Sequence, residues 1–154
     1  MSDHSEKLMT LISEITGQKA VSCGISINKG WFPLVECLLG DIQHSLKYHH
    51  DSIGTKYGKD AGKIEFSVGQ IKEKFGGLRF YADIGWNSDS VKDAAKASYI
   101  SGMIAFAESM SCRLCEQCGS PSSPQPEGSS RMVTLCEKHH EERAKWRESK
   151  KGIF

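Results

Sequence analysis

The chain has 154 residues, 25% of them charged, with a formal net charge of +1, long enough for one domain with a real core and a small appendix. Such a balance excludes a global pull towards nucleic acid or an anionic membrane, though local patches stay open. No signal peptide and no apolar run of membrane length is visible, so the expected setting is cytoplasmic and reducing, where the six cysteines bind metal rather than each other.

From Ser5 to Ile15, Leu8, Leu11, Ile12 and Ile15 recur at helical spacing and predict a short amphipathic helix that Gly17 ends. Trp31-Phe32-Pro33 then opens a second helix, with Pro33 in its first turn and Leu34, Val35, Leu38, Leu39, Ile42 and Leu46 as its core stripe. Cys23 and Cys37 sit among apolar residues and read as buried packing residues. His49 and His50 are adjacent, so on a helix they point about 100° apart and make poor joint ligands; they read as solvated.

The period then changes. Ile64, Phe66 and Val68 alternate with polar residues, as do Leu78, Phe80, Ala82 and Ile84, which predicts two half-buried antiparallel strands. Between them lies Gln70 to Gly77, where the paired glycines Gly76-Gly77 are expected to supply the positive φ values of the turn. Gly85 and Asn87 stop the second strand, and Ser88 or Asp89 is the expected cap of a long helix. Its apolar stripe reads as Val91, Ala95, Tyr99, Met103, Phe106 and Met110. The small residues Ala94, Ala95, Ala97, Ser98, Ser101 and Gly102 predict a surface closely covered by the hairpin.

Two ligand pairs carry the chemistry. Cys115-Glu116-Gln117-Cys118-Gly119 has the form of a metal knuckle, with backbone amides turned towards the sulfurs and Gly119 letting the chain leave. Cys136 and His139, three apart at the start of a helix running to about Lys150, share one face. Cys115, Cys118, Cys136 and His139 are therefore the expected ligands of one structural Zn2+, with Cys112 and His140 as competitors. Four protein ligands leave no open position for an activated water. The H-x-E with P-C-x-x-C signature of deaminases and the H-E-x-x-H of zincins are both missing. The expectation is a protein without enzymatic activity; a metal-dependent nuclease with His140 as base is the minor alternative.

Lys72, Lys74 and Arg79 on the hairpin form a basic rim able to meet phosphates, joined by Arg143 and Arg147 on the last helix. Phe80 and Tyr81 are consecutive on a strand, so only one can join a stacking platform. Glu141, Glu142 and Glu148 mix the sign of the last helix.

The run Gln70-Ile71-Lys72-Glu73-Lys74-Phe75-Gly76-Gly77-Leu78-Arg79-Phe80-Tyr81, followed by Ala107-Glu108-Ser109, Cys115-Glu116-Gln117-Cys118-Gly119 and Thr134-Leu135-Cys136-Glu137-Lys138-His139, resembles a family of small proteins of bacteria, phages and prophages. The resemblance spans roughly residues 31 to 142 and implies a setting, a phage or mobile element, rather than an activity. Cys112 is additional to that pattern, and Ser129-Ser130-Arg131-Met132 stands where a glycine and an aromatic are usual.

The sequence thus predicts an α+β protein: a core over residues 1–111 with helices packed on a small antiparallel hairpin, and a treble-clef-like zinc module over residues 112–154. The expected function is a non-catalytic interaction protein of a phage or mobile element. It would bind a host macromolecule, a protein such as a defence-system component, in the host cytoplasm, with no membrane partner. Nucleic-acid binding through Lys72, Lys74, Arg79, Arg143 and Arg147 is the alternative.

Overall fold

The computed structural model describes residues 3–17, 24–47, 64–86, 89–128 and 130–151. The first amphipathic pattern forms α1 (Asp3–Thr16), which buries Leu8 and Ile12. Gly17, at φ +68°, ends it by donating its N–H to the Ser13 carbonyl at 2.9 Å, a left-handed cap that costs glycine no steric strain. A 3-10 turn (Lys29–Trp31) leads into α2 (Phe32–Lys47), with Pro33 in the first turn, where its missing N–H has no intrahelical acceptor. Val35, Leu38, Leu39 and Ile42 are buried. Cys37 is exposed, correcting the expectation that it packs inside: at 100° per residue it lies on the side of α2 opposite that stripe. Cys23, His49 and His50 lie outside the described residues.

Three strands form the main sheet in the order β1 (Ile25–Ser26), β2 (Glu65–Lys74), β3 (Gly77–Gly85), the first pair parallel and the second antiparallel. Phe66 and Val68 face the core. A register shift between Val68 and Gln70 then returns Ile71, not Gln70, to it. That irregularity breaks the period of two, so β2 continues to Lys74, beyond where alternation alone carries it. The turn is Phe75-Gly76, at φ +55° and +74°, a two-residue connection with both central angles positive. The expected pair Gly76-Gly77 is thus displaced by one residue, and Gly77 opens β3.

Helix α3 (Val91–Ser111) is capped by Ser90, whose hydroxyl accepts the Asp93 N–H at 3.3 Å, in place of Ser88 or Asp89. Its buried side holds Ala97, Ile100 and Ala107 with Asp93 and Ser111, while Val91, Tyr99 and Phe106 are exposed. The expected stripe is therefore the wrong one, with only Met103 of it packed against the core. Apolar residues surround this helix, so periodicity admits two faces, and the edge of β3 decides between them. The Leu78 N–H donates to Ser111 Oγ and the Phe80 N–H to Glu108 Oε1, each at 2.8 Å. Unpaired edge amides need such acceptors, and supplying them turns Ser111 and Glu108 towards the strand. Of the small residues expected to be covered, Ala97 is buried and Ala94 half-buried, whereas Ala95, Ser98, Ser101 and Gly102 face outwards.

After α3 come a hairpin of β4 (Pro124–Glu127) and β5 (Arg131–Thr134) and then α4 (Glu137–Lys151). Cys115, Val133 and Leu135 form a second buried cluster beside the main one. The protein is α+β, with a C-terminal knuckle, hairpin and helix in treble-clef-like order. No helix among the described residues is long and apolar enough to cross a membrane.

Candidate metal centre

Local chain geometry brings the four expected ligands together. The knuckle closes through the Gly119 N–H donating to the Cys115 carbonyl and the Cys115 N–H donating to the Ser120 carbonyl, each at 2.7 Å. Gly119 takes φ +75°. Strand β5 lies alongside, the Glu116 N–H donating to the Thr134 carbonyl at 2.8 Å. Cys136 immediately precedes α4 and its carbonyl accepts the His140 N–H at 2.9 Å, so His139 stands one turn further on the same side.

The donor atoms of Cys115, Cys118, Cys136 and His139 all lie within 4.8 Å of one another. His139 Nδ1 is 3.2 Å from Cys136 Sγ and 3.5 Å from Cys115 Sγ, and the Cys118 and Cys136 sulfurs are 3.9 Å apart. Three thiols and an imidazole around one point can hold a metal ion. Cys112 Sγ instead sits at the end of α3, 3.8 Å from the Glu108 carbonyl, where a side chain on Gly77 would collide with it. Neither Cys112 nor His140 belongs to the cluster.

The two knuckle cysteines differ. Burial pushes the Cys115 thiol up, against the pull of the N–H groups of Cys136, Gln117 and Cys118. Cys118, exposed, is brought down to about 6, first by the Ser120 hydroxyl 3.3 Å away and then by the Ser120 N–H. Cys115→Ser is therefore expected to release the metal from a buried position that no solvent can fill, whereas Cys112→Ser should retain one ion per chain. Metal analysis of both purified variants checks this; retention in Cys115→Ser would reassign the ligand set.

Residues far away in sequence seat the knuckle. Trp31, fully buried, donates its indole N–H to the Leu114 carbonyl at 2.8 Å, and the Gly30 N–H donates to the Glu116 carbonyl at 2.9 Å. The β2–β3 turn docks on β5: the Thr134 hydroxyl donates to the Gly76 carbonyl, and the Gly76 N–H donates to Glu73 Oε1 at 2.7 Å. Sequence reasoning missed Gly30, Trp31 and Thr134, because none carries a local pattern that points 40 or more residues along the chain.

The basic candidates separate into two groups. Arg143 Nε lies 2.5 Å from Glu127 Oε1 and its Nη1 3.8 Å from Glu116 Oε1, while Arg147 Nη1 is 3.6 Å from Glu127 Oε1. These arginines are committed to a carboxylate cluster tying α4 to the knuckle. Glu116 is 1% exposed; burial foremost, then Glu73, raises its carboxyl above the usual range, with Arg143 and Arg131 opposing. On the hairpin, Arg79 Nη1 folds back to donate to the Leu78 carbonyl at 2.7 Å. Lys72 stands 5.2 Å from the centre of the Tyr81 ring and Lys74 5.3 Å from that of Phe75. Phe80 is buried and Tyr81 exposed, as their adjacency on a strand requires.

Among known proteins, no family model, no curated protein and no solved structure matches this chain.

Proposed function

We propose that this is a non-catalytic interaction protein whose recognition surface is held in shape by one structural Zn2+. The observation that carries the reading is the closed set of four protein donors. Zinc bonds of about 2.3 Å to sulfur and about 2.0–2.1 Å to nitrogen in a tetrahedron require ligand separations of about 3.6–3.8 Å. Three of the six donor separations, at 3.2–3.9 Å, come close to that, and all six lie within 4.8 Å. Three sulfurs favour zinc over magnesium or calcium, and a filled tetrahedron leaves no place for substrate or an activated water.

The surface that the module supports is the β2–β3 turn. Phe75 stands there 66% exposed with its backbone at φ +55°, a conformation that favours glycine or asparagine. Neither local geometry nor core burial calls for phenylalanine at this point, so contact with another macromolecule is the reading that accounts for it. Lys72 and Lys74 flank it. With Arg79, Arg143 and Arg147 engaged within the chain, two flanking lysines make a sparse phosphate-binding footprint, which favours a protein partner. Following the family resemblance, the partner is a host protein and the setting a phage or mobile element.

The test is capture from host lysate with tagged, metal-loaded protein, in nuclease-treated and untreated arms, over a range of salt. A single protein that survives nuclease and is lost with Phe75→Gly is the expected outcome. Recovery of nucleic acid that falls steeply with salt, unaffected by Phe75→Gly, would transfer the assignment to nucleic-acid binding.

A further inference from the structure

The candidate metal centre does not end at its four donors. Cys136 stands immediately before α4, and His139 and Glu142 follow at three-residue spacing, each one turn beyond the one before. Read from sequence, Glu142 is one charge of a mixed-sign helix face. In the structure its Oε2 lies 3.9 Å from His139 Nε2, and its Oε1 lies 4.0 Å from Lys138 Nζ. The carboxylate is thus placed at the outer edge of the imidazole, with the lysine bracing its other oxygen. The two ring nitrogens have separate surroundings. Nδ1 faces the sulfurs of Cys136 and Cys115 at 3.2 and 3.5 Å, and Nε2 faces Glu142.

We infer that His139 holds the ion through Nδ1 and that Glu142 is the positioning residue of the site, accepting the Nε2–H. The assignment rests on the structural-zinc reading above and adds to it which atom binds and what orients it. A neutral imidazole that gives its Nδ1 lone pair to a metal carries its proton on Nε2. That proton needs an acceptor, and a carboxylate is one that metal-binding histidines use, because it fixes the tautomer, orients the ring and makes the bound nitrogen a better donor. Glu142 is the carboxylate placed for it.

The distance of 3.9 Å is that of an ion pair, longer than a hydrogen bond. Glu142 is 57% exposed, and the end torsion of a glutamate is soft, so rotation closes the gap at little cost once the ring is fixed. Exposure also sets the size of the effect. Losing such a partner costs roughly 10–100-fold in metal affinity, and for a solvated carboxylate the expected loss is about tenfold.

Nuclear magnetic resonance of the full chain, loaded with a spin-active cadmium isotope in place of zinc, tests the atom assignment. Bound at Nδ1, the metal couples to the ring proton Hε1 alone. Bound at Nε2, which adjoins both proton-bearing ring carbons, it couples to Hε1 and Hδ2. Coupling to Hε1 alone is expected, together with a slowly exchanging Nε2 proton in the wild type and in Glu142→Gln, which keeps an acceptor without the charge. In Glu142→Leu that proton should exchange too fast to observe. Chelator competition on the zinc-loaded proteins should show Glu142→Leu weakened about tenfold, and Glu142→Gln close to the wild type. Glu141→Leu, at an exposed neighbour turned about 100° around the helix, should bind like the wild type. Circular dichroism establishes that the variants are folded. A carboxylate acting only through its charge would make the glutamine and leucine variants equal, so rescue by glutamine identifies positioning. Coupling to both ring protons, equal losses in the two variants, or a Glu142→Leu protein that holds zinc like the wild type overturns the inference while the structural-zinc reading stands. A chain that takes up no ion fails both.

Discussion

Chelation of the metal is expected to unfold residues 112–151 while α1, α2, β2, β3 and α3 stay folded. Among the described residues the module's own apolar cluster amounts to Cys115, Val133 and Leu135, with Cys136 against it, and a unit of that size cannot offset its chain entropy by burial. In isolated zinc modules coordination supplies on the order of 10 kcal/mol or more of apparent binding energy, so its loss is decisive here. The main cluster has other resources, from Leu8 and Ile12 through Trp31, Leu39 and Ile42 to Ile71, Leu78 and Ile100, all within 1% of complete burial. Hydrogen exchange on chelated protein should show amide protection lost across the module and at Gly30, whose N–H partner, the Glu116 carbonyl, lies in it. It should persist at Ile71 and Phe80. Protection lost together in β2, β3 and the module would show one cooperative unit and refute the division.

Gly30→Ala is expected to damage the metal centre from 85 positions away, counting to Cys115. A side chain at Gly30 would stand 2.3 Å from the Cys115 carbonyl oxygen, 2.6 Å from the Cys118 nitrogen and 2.7 Å from the Glu116 carbonyl carbon. All three are backbone atoms that no rotamer change can move aside. Either the turn before α2 or the knuckle must shift, breaking the Gly30 to Glu116 hydrogen bond and moving two ligands. The cost should be about 3 kcal/mol of stability, at the upper end for overpacking. Metal affinity should fall by roughly 10–100-fold, as when the groups that orient ligands are lost. Chelator competition and thermal unfolding measure both. Gly40→Ala is the control and should raise stability by about 0.5–1 kcal/mol, since its added carbon meets nothing within 4 Å. An alanine at position 30 that binds metal like the wild type would show that the contact between the two parts is dispensable.

The four candidate metal ligands were legible in the sequence because every relation among them except one is local. A C-x-x-C pair with Gly119 and a three-residue spacing at a helix start dictate their own geometry, and only the meeting of the two halves needs tertiary structure. The helix α2 was equally legible, since its apolar residues fall on one side. Helix α3 was not: apolar residues ring it, and the choice between Ile100 with Ala107 and Tyr99 with Phe106 was made by the edge amides of Leu78 and Phe80. The roles of Arg143 and Arg147 were likewise beyond reach, because a basic helix face and a helix tied down by Glu116 and Glu127 have the same residue pattern until the partners are placed.

By itself, then, the sequence determined the α+β class, the four donors and the identities of the main core-facing residues in α1, α2 and β3, with Phe66 and Val68 but not Ile71 of β2, all consequences of period, spacing and backbone preference within about one element. Tertiary structure alone decided which face α3 buries, where the hairpin turns, and that Gly30, Trp31 and Thr134 seat the metal knuckle. Those outcomes depend on steric fit and hydrogen-bond satisfaction between segments 28 to 86 residues apart, and a local pattern holds no record of what it will meet.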